Sequence, residues 1–508
     1  MLYDIALDVE RLLTYGAAHQ IYDIQDTQVV RNRLYDVLQT EPAAVDGYGS
    51  EPIPESATAV LTRMLDDMIA RGVFPDTQGY RDLWDTRIMG QLMPMPSAVI
   101  ARFHELESIQ GAEAATNWFY GLNRKSDYIR TDRISKNIEW QHPSVYGTLT
   151  ITINLAKPEK DPKDIATLQN APKAGYPACL LCVENEGYAG RLDFPARQTL
   201  RLIPLTLNGE RWHFQYSPYV YYNQHCIVLA DRHTPMAICR ATFQRLMDFL
   251  SRFPHYFLGA NAGLPLVGGS ILNHDHFQGG RHEFPMQRAS VRERWRHVDF
   301  PSVEVGIVDW PLSTIRLTGD PASLIMISEL ILHQWQPYTD ESVDIVANTG
   351  SEPHNAVTPI ARRAGERYQI DIVLRNNRIT DAHPTGLFHP HQEHHHIKKE
   401  NIGLIEVMGL MVLPGRLKEE LERLSMVLQG KVERDDSDAL QAAHSEMLDM
   451  LVSAMGTGNS AEEAEAVLRQ TVGDICMDVL RDAGVFKDDH DGRRAMARFM
   501  QTAGFTRL

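Results

Sequence analysis

The chain has 508 residues, with 50 Lys and Arg against 66 Asp and Glu, and a formal charge of −16. At about 100–200 residues per domain this is two to four domains, and 43% apolar residues suffice for a large core, which excludes a disordered chain. The acidic balance argues against a general nucleic-acid binder but leaves room for a small basic pocket that takes a phosphorylated metabolite.

The opening MLYDIALDVERLL carries acids early and does not read as a secretory signal. Leu2, Ile5, Val9, Leu12 and Leu13 recur at helical spacing. Val60, Leu61, Met64, Leu65 and Met68 do the same, and SAVIARFHELES follows as another helix. Residues 1–135 therefore read as a helical packing or dimerisation layer. The texture changes near Tyr146. Leu149, Ile151, Ile153 and Leu155 alternate with Thr148, Thr150, Thr152 and Asn154, the period of a half-buried strand. QTLRLIPLTL, RWHFQYSPYVYY and HCIVLA continue the strands, and TFQRLMDFLSRF reads as a helix. From about 300 the pattern repeats loosely. VGIVDW and STIRLTG precede a helix around SLIMISELILHQW, and RYQIDIVLRNN precedes a histidine-rich stretch. The tail after Pro414 is helical, with a break at GTGNS, 456–460. No stretch of about 18 apolar residues appears, so no membrane span is expected. Five cysteines make no disulfide framework, and a reducing cytoplasm is the expected location.

The sharpest chemical signal is His274-Asp275-His276-Phe277-Gln278-Gly279-Gly280. On a strand, residues i, i+2 and i+4 share a face, so His274, His276 and Gln278 would stand in one row. Glycines let backbone N–H groups approach an anion, as Gly269 and Ser270 upstream would also do. A neutral imidazole, with an ordinary pKa of about 6.5, is a competent nucleophile at pH 7. The plain alternative is a pair of ordinary histidines on a strand.

The second signal is Cys179-Leu180-Leu181-Cys182. CxxC in a reducing compartment is a redox pair or half a zinc site. Pro177 before it and Glu-Asn-Glu-Gly after it suit a metal knuckle, with His225, His233 and His274 as the leading further ligands. Two ordinary buried cysteines are the alternative. The third signal is six histidines within His383–His396, including His389 and His391. They could hold a second metal, bind an anionic phosphate, or form a solvated turn. Lys398 and Lys399 follow directly and suit a sugar phosphate. There is no GxGxxG after a clean strand and no Walker loop.

YPACLLCVENEGYAGR, QYSPYVYYNQHCIVL, LPLVGGSILNHDHFQGG and HPHQEHHHIKKENIGLIEVMGLMVLPGRL together resemble the type 2 family of galactose-1-phosphate uridylyltransferases, within the wider histidine-triad superfamily. The resemblance spans roughly 135–420. It implies an α+β fold of two histidine-triad-like modules with antiparallel sheets, 136–300 and 301–415, flanked by helical regions 1–135 and 416–508. It also implies transfer of UMP from UDP-glucose to galactose 1-phosphate, giving UDP-galactose and glucose 1-phosphate, in the Leloir route.

By the same resemblance His276 is the nucleophile and Gln278 holds an α-phosphate oxygen. Zinc falls to Cys179, Cys182, His274 and an upstream histidine, His233, with His225 as competitor. Asn261 lies near the diphosphate, and Lys399 and Glu406 fall at the sugar-phosphate contacts. Gly279, His389 and His391 join the expected substrate-binding residues, with a second metal near the last two left open. Contacts that cross subunits make a homodimer the expected state. The type 1 branch reads HPH where this chain reads HDH. A literal HPH occurs at His389–His391, but Gln392 follows it directly, and on a strand it would face the other way. Hydrolytic relatives carry a third histidine where Gln278 stands. An amide cannot donate a proton as imidazolium does, so Gln278 favours transfer over hydrolysis.

Overall fold

The computed structural model describes residues 4–42, 52–156, 175–269 and 271–508. The fold is α+β with antiparallel sheets, as the sequence pattern suggests. Residues 1–136 and 156–234 form one compact unit, and residues 137–155 and 235–508 form another.

In the first unit, Ile5–Ala18 opens the helical layer with Asp4 as its cap, whose carboxylate accepts the Leu7 N–H at 3.0 Å. Val9, Leu12 and Leu13 are buried as the spacing predicts, while Leu2 lies outside the described residues. Helix Thr58–Ala70 buries Val60, Leu61, Met64, Leu65 and Met68. The two helices are clamped by Asp8, a buried acid that accepts from Arg63 at 2.7 Å and Arg11 at 2.9 Å. Pro96–Gln110 is the third expected helix, with proline at its first turn, where the missing N–H costs nothing. Strands Ile203–Leu207, Glu210–Tyr216 and Cys226–Ala230 then pair antiparallel in sequence order.

In the second unit, the expected strand after Tyr146 spans Gly147–Ile153 and buries Leu149, Ile151 and Ile153. It pairs with Ile138–Ser144 on one side and, in parallel, with Leu410–Leu413 on the other. A larger antiparallel sheet runs in the spatial order Phe505–Arg507, Val291–His297, Glu304–Val308, Thr314–Gly319, Arg367–Asn376, Asn355–Ala364, Phe257–Gly259, His276–Gly280. Helices Arg240–Arg252 and Pro321–Trp335 pack on one another and on these strands. The helical tail breaks where GTGNS stands. Helix Ser445–Met455 ends at Gly456 with φ 71°, and Ser460 caps Ala461–Ala483. No helix among the described residues is long and apolar enough to cross a membrane.

The other face of the larger sheet is polar at its centre. Asp371 is fully buried and accepts from Arg316 at 2.7 and 3.0 Å and from Arg362 at 2.6 Å. Burial works to raise the carboxyl's pKa, but the two guanidinium groups outweigh it and hold it below the usual range. The stabilisation from this ionisation is therefore present above the unfolded value near 4 and is lost as pH falls through the lower folded value. Asp371→Asn leaves two buried guanidinium groups uncompensated. We expect a loss of about 3–5 kcal/mol in denaturant unfolding.

Candidate active site

Strand His276–Gly280 carries the expected nucleophile at its first position. Within its unit it pairs with Phe257–Gly259, with Gln278 opposite Gly259 and Gly279 opposite Leu258. Gly259 is required by close approach. A Cβ there would lie 2.8 Å from the Leu404 side chain and 3.0 Å from the Pro359 carbonyl oxygen. His276 is buried, and its Nδ1 lies 2.9 Å from the His274 carbonyl oxygen. A carbonyl only accepts, so Nδ1 carries the proton and Nε2 keeps its lone pair. Burial pushes the imidazole pKa down to about 4. The bond to the His274 carbonyl opposes this, and the His274 ring adds to it. The ring is therefore neutral at pH 7, with its lone pair on Nε2.

The glycine-rich loop before this strand is tied down by Asn261. Its Oδ1 accepts the Leu404 N–H at 2.9 Å, and a Cβ at Gly269 would lie 2.7 Å from its Nδ2. Ser270 lies outside the described residues. Asn401 adds a second tie to the loop, donating to the Gly268 carbonyl at 3.3 Å while its Oδ1 meets His389 Nε2 at 3.3 Å. Thus Asn261 and His389 converge on segment 401–406. Glu406 belongs there too. Its Oε1 meets Lys398 Nζ at 3.1 Å and its Oε2 accepts the Gly403 N–H at 3.2 Å.

Lys399 is exposed, whereas Lys398 is buried and also donates to the Val412 carbonyl at 2.8 Å. Adjacent lysines leave this choice open in the sequence. His391 takes separate partners. Its ring stacks on His383 at 4.3 Å, and its Nδ1 lies 3.3 Å from Asp482 Oδ1. Gln392 opens a short helical turn, Gln392–His394, rather than continuing a strand.

The CxxC segment is a tight turn. Cys182 N–H donates to the Cys179 carbonyl at 3.3 Å, and the two Sγ atoms lie 3.5 Å apart. Asn185, which sequence reasoning passed over, donates from Nδ2 to both the Cys179 and Cys182 carbonyls at 2.8 Å. Its position three residues after the motif was the available signal. His233 Nδ1 lies 3.0 Å from Cys182 Sγ. His225 is buried against the rings of Tyr222 and Tyr221, at 4.5 and 5.4 Å.

Within the first unit, Cys179, Cys182 and His233 thus bring two thiols and an imidazole together, part of a possible metal-binding group. Among the described residues no other group of this kind occurs, and this one includes neither His389 nor His391. Two thiols and an imidazole suit a tetrahedral ion, whose sulfur–sulfur edge is about 3.8 Å at a 2.3 Å bond length. Burial, and then the adjoining Cys179, hold the Cys182 thiol up at about 11, so an incoming ion must displace that proton.

Two family descriptions match the chain: the N-terminal domain of galactose-1-phosphate uridyl transferase over 20–235 and its C-terminal domain over 249–448. Galactose-1-phosphate uridylyltransferase from Caldanaerobacter subterraneus subsp. tengcongensis is 50% identical, covering 99% of both chains. The proteins of that name from Halalkalibacterium halodurans and Bacillus subtilis are 48% and 46% identical. Each match covers 98% of this chain, and 98% and 97% of theirs. Among solved structures, the yeast Ap4A phosphorylase Apa2 aligns over 59% of this chain and 87% of its own, with TM-score 0.31 and 11% identity. The chain belongs to the galactose-1-phosphate uridylyltransferase family, a family of transferase enzymes.

The tie at Asn261 is testable by itself. Asn261→Ala strands the buried Leu404 N–H. Unfolding by denaturant should report a loss of about 1–3 kcal/mol, and an unchanged midpoint would refute the tie.

Proposed function

We propose that the chain moves UMP from UDP-glucose to galactose 1-phosphate through a covalent uridylyl-histidine at His276. The observation that carries this reading is the hydrogen bond from Nδ1 of His276 to the His274 carbonyl. It fixes the tautomer, holds the ring, and leaves Nε2 with a lone pair. In the first step Nε2 attacks the α-phosphorus of UDP-glucose. The bond to the bridging oxygen breaks, and glucose 1-phosphate leaves with that oxygen. In the second, a phosphate oxygen of galactose 1-phosphate attacks the same phosphorus. The N–P bond breaks and UDP-galactose departs. Splitting the transfer lets one site serve both sugar phosphates in turn. Gln278, two residues along the same strand face, holds a non-bridging oxygen of the α-phosphate. Gly279 and Asn261 line the phosphate path, and His389, His391, Lys399 and Glu406 complete the sugar-phosphate side. The acceptor competes with water for the intermediate, and the amide at 278 supplies no acid or base to help water.

Zinc is the proposed metal, held by Cys179, Cys182, His233 and His274. When bound, its charge would fix these four side chains and so hold in place the residue whose carbonyl orients His276. A cytoplasmic location belongs to the same reading, because thiol ligands need reducing surroundings. A homodimer is proposed with it, as are two histidine-triad-like modules at 136–300 and 301–415. In support of the modules, each span carries antiparallel strands and one long helix, Arg240–Arg252 or Pro321–Trp335.

Incubation with UDP-glucose labelled at the α-phosphate, without acceptor, should leave stable label on the protein. Label should vanish in His276→Ala, and its absence in the natural chain would reject the mechanism. Gln278→His should raise UMP release without acceptor by at least tenfold, since it restores an acid–base group beside the intermediate. Elemental analysis should find about one zinc per chain, with Cys179→Ser/Cys182→Ser holding less than a tenth of that and melting at lower temperature.

A further inference from the structure

A buried arginine on the polar face of the larger sheet has no role in the assignments above. Arg375 is 1% exposed. One guanidinium nitrogen, Nη2, donates to the Ile402 carbonyl at 2.9 Å. The other two, Nε and Nη1, are closed off from solvent and have no hydrogen-bond partner among the described residues. A buried charged donor left in this state is costly, so it needs an explanation.

Its neighbours sharpen the question. Glu406 is the acid that acts on it, and burial pushes the guanidinium down to about 10 against that attraction. Yet Glu406 is already engaged on both oxygens, by Lys398 Nζ at 3.1 Å and by the Gly403 N–H at 3.2 Å. Glu400, 3.9 Å from Lys398, is exposed and screened by water. Two buried cations thus share one partly exposed carboxylate. His389, which feels the Arg375 charge, is itself driven toward neutrality, chiefly by burial. This cluster carries one positive charge too many and two spare donors, in a protein whose overall charge is −16. An anion satisfies both.

The location says which anion. Gln278, Gly259, Ile360 and Asp371 are paired across four adjacent strands and so share one face. His276 is two residues from this row and Arg375 four, each stepping toward the same end of the sheet. The Arg375 guanidinium grips Ile402, two residues from the Leu404 N–H that Asn261 holds. The spare donors therefore adjoin the segment that Asn261, His389 and Glu406 all reach. We propose that Arg375 binds the phosphate of the hexose 1-phosphate, which is also the β-phosphate of the UDP-sugar before transfer. This rests on the uridylyl-transfer reading and adds a residue to it. Nε and Nη1 together present the edge of a fork that matches two phosphate oxygens.

Steady-state kinetics of Arg375→Lys, which keeps the charge but not the fork, test this. KM for galactose 1-phosphate should rise at least tenfold with a much smaller change in kcat. The melting shift that glucose 1-phosphate gives the natural chain should be lost. A KM within twofold of the natural value would overturn the proposal and assign the spare donors to ordered water. A structure of the natural chain with glucose 1-phosphate decides the matter even if variants fail to fold. Phosphate oxygens within hydrogen-bond distance of Nε and Nη1 support the proposal, and a phosphate bound elsewhere overturns it. If the natural chain forms no UDP-galactose at all, the transfer reading fails. If it does and Arg375→Lys is silent, only the arginine assignment fails.

Discussion

The proposed chemistry of this chain depends on one hydrogen bond made within three residues. His276 Nδ1 donates to the carbonyl of His274, 2.9 Å away. That bond selects the tautomer, and burial selects the charge state. The result is an imidazole with a single available lone pair, at the opening position of a strand. A histidine free to rotate would present either nitrogen and would gain a proton near its ordinary pKa. Both freedoms are removed here by backbone geometry and by desolvation.

Around that strand the structure keeps polar groups where a core would normally be apolar. The face shared by Gln278, Ile360 and Asp371 also carries Arg316, directly opposite Asp371, and Arg362, which reaches Asp371 diagonally from the strand on the other side. The opposite face packs helices Arg240–Arg252 and Pro321–Trp335. One side of the sheet thus supplies apolar stability, and the other holds charges fixed in place by their partners. The Asp371 cluster is closed and neutralised as far as two cations and one acid allow. The Arg375 cluster is open in the sense that matters, since its donors outnumber its acceptors.

Much of this was legible in the sequence because it is local. Alternation gave the strand after Tyr146, helical spacing gave Thr58–Ala70, and GTGNS marked the break in the tail. The row of His276 and Gln278 follows from the period of a strand, but His274, expected in the same row, lies in a bend before the strand begins; the CxxC turn follows from its flanking residues. What sequence could not yield depends on partners distant along the chain. Residues 137–155 pair with Leu410–Leu413 and group with 235–508, not with the residues that follow them. Lys398 and Lys399 are chemically equal until one is buried against Glu406. His225 and His233 are equally good ligands until one stacks on tyrosines and the other reaches Cys182. Asn185 and Arg375 carry no motif, and only the groups they meet give them meaning.

The same contrast bears on how the site resists water. A uridylyl-histidine is an activated phosphoryl group, and its lifetime depends on what stands beside it. The residue two places along the strand is an amide, which can orient a phosphate oxygen but cannot take a proton from water. Selectivity for transfer therefore does not need a closed cavity. It needs an acceptor held in place more often than water is activated, and that is a matter of binding the acceptor's phosphate. Segment 401–406 is built for holding. Asn261 and Arg375 hold its backbone from two other elements, Asn401 ties it to the Gly268 carbonyl, and Glu406 pairs with Lys398 just before it. A scaffold anchored at so many points keeps its donors aimed without a ligand, so the free energy of acceptor binding is spent on position rather than on folding the site.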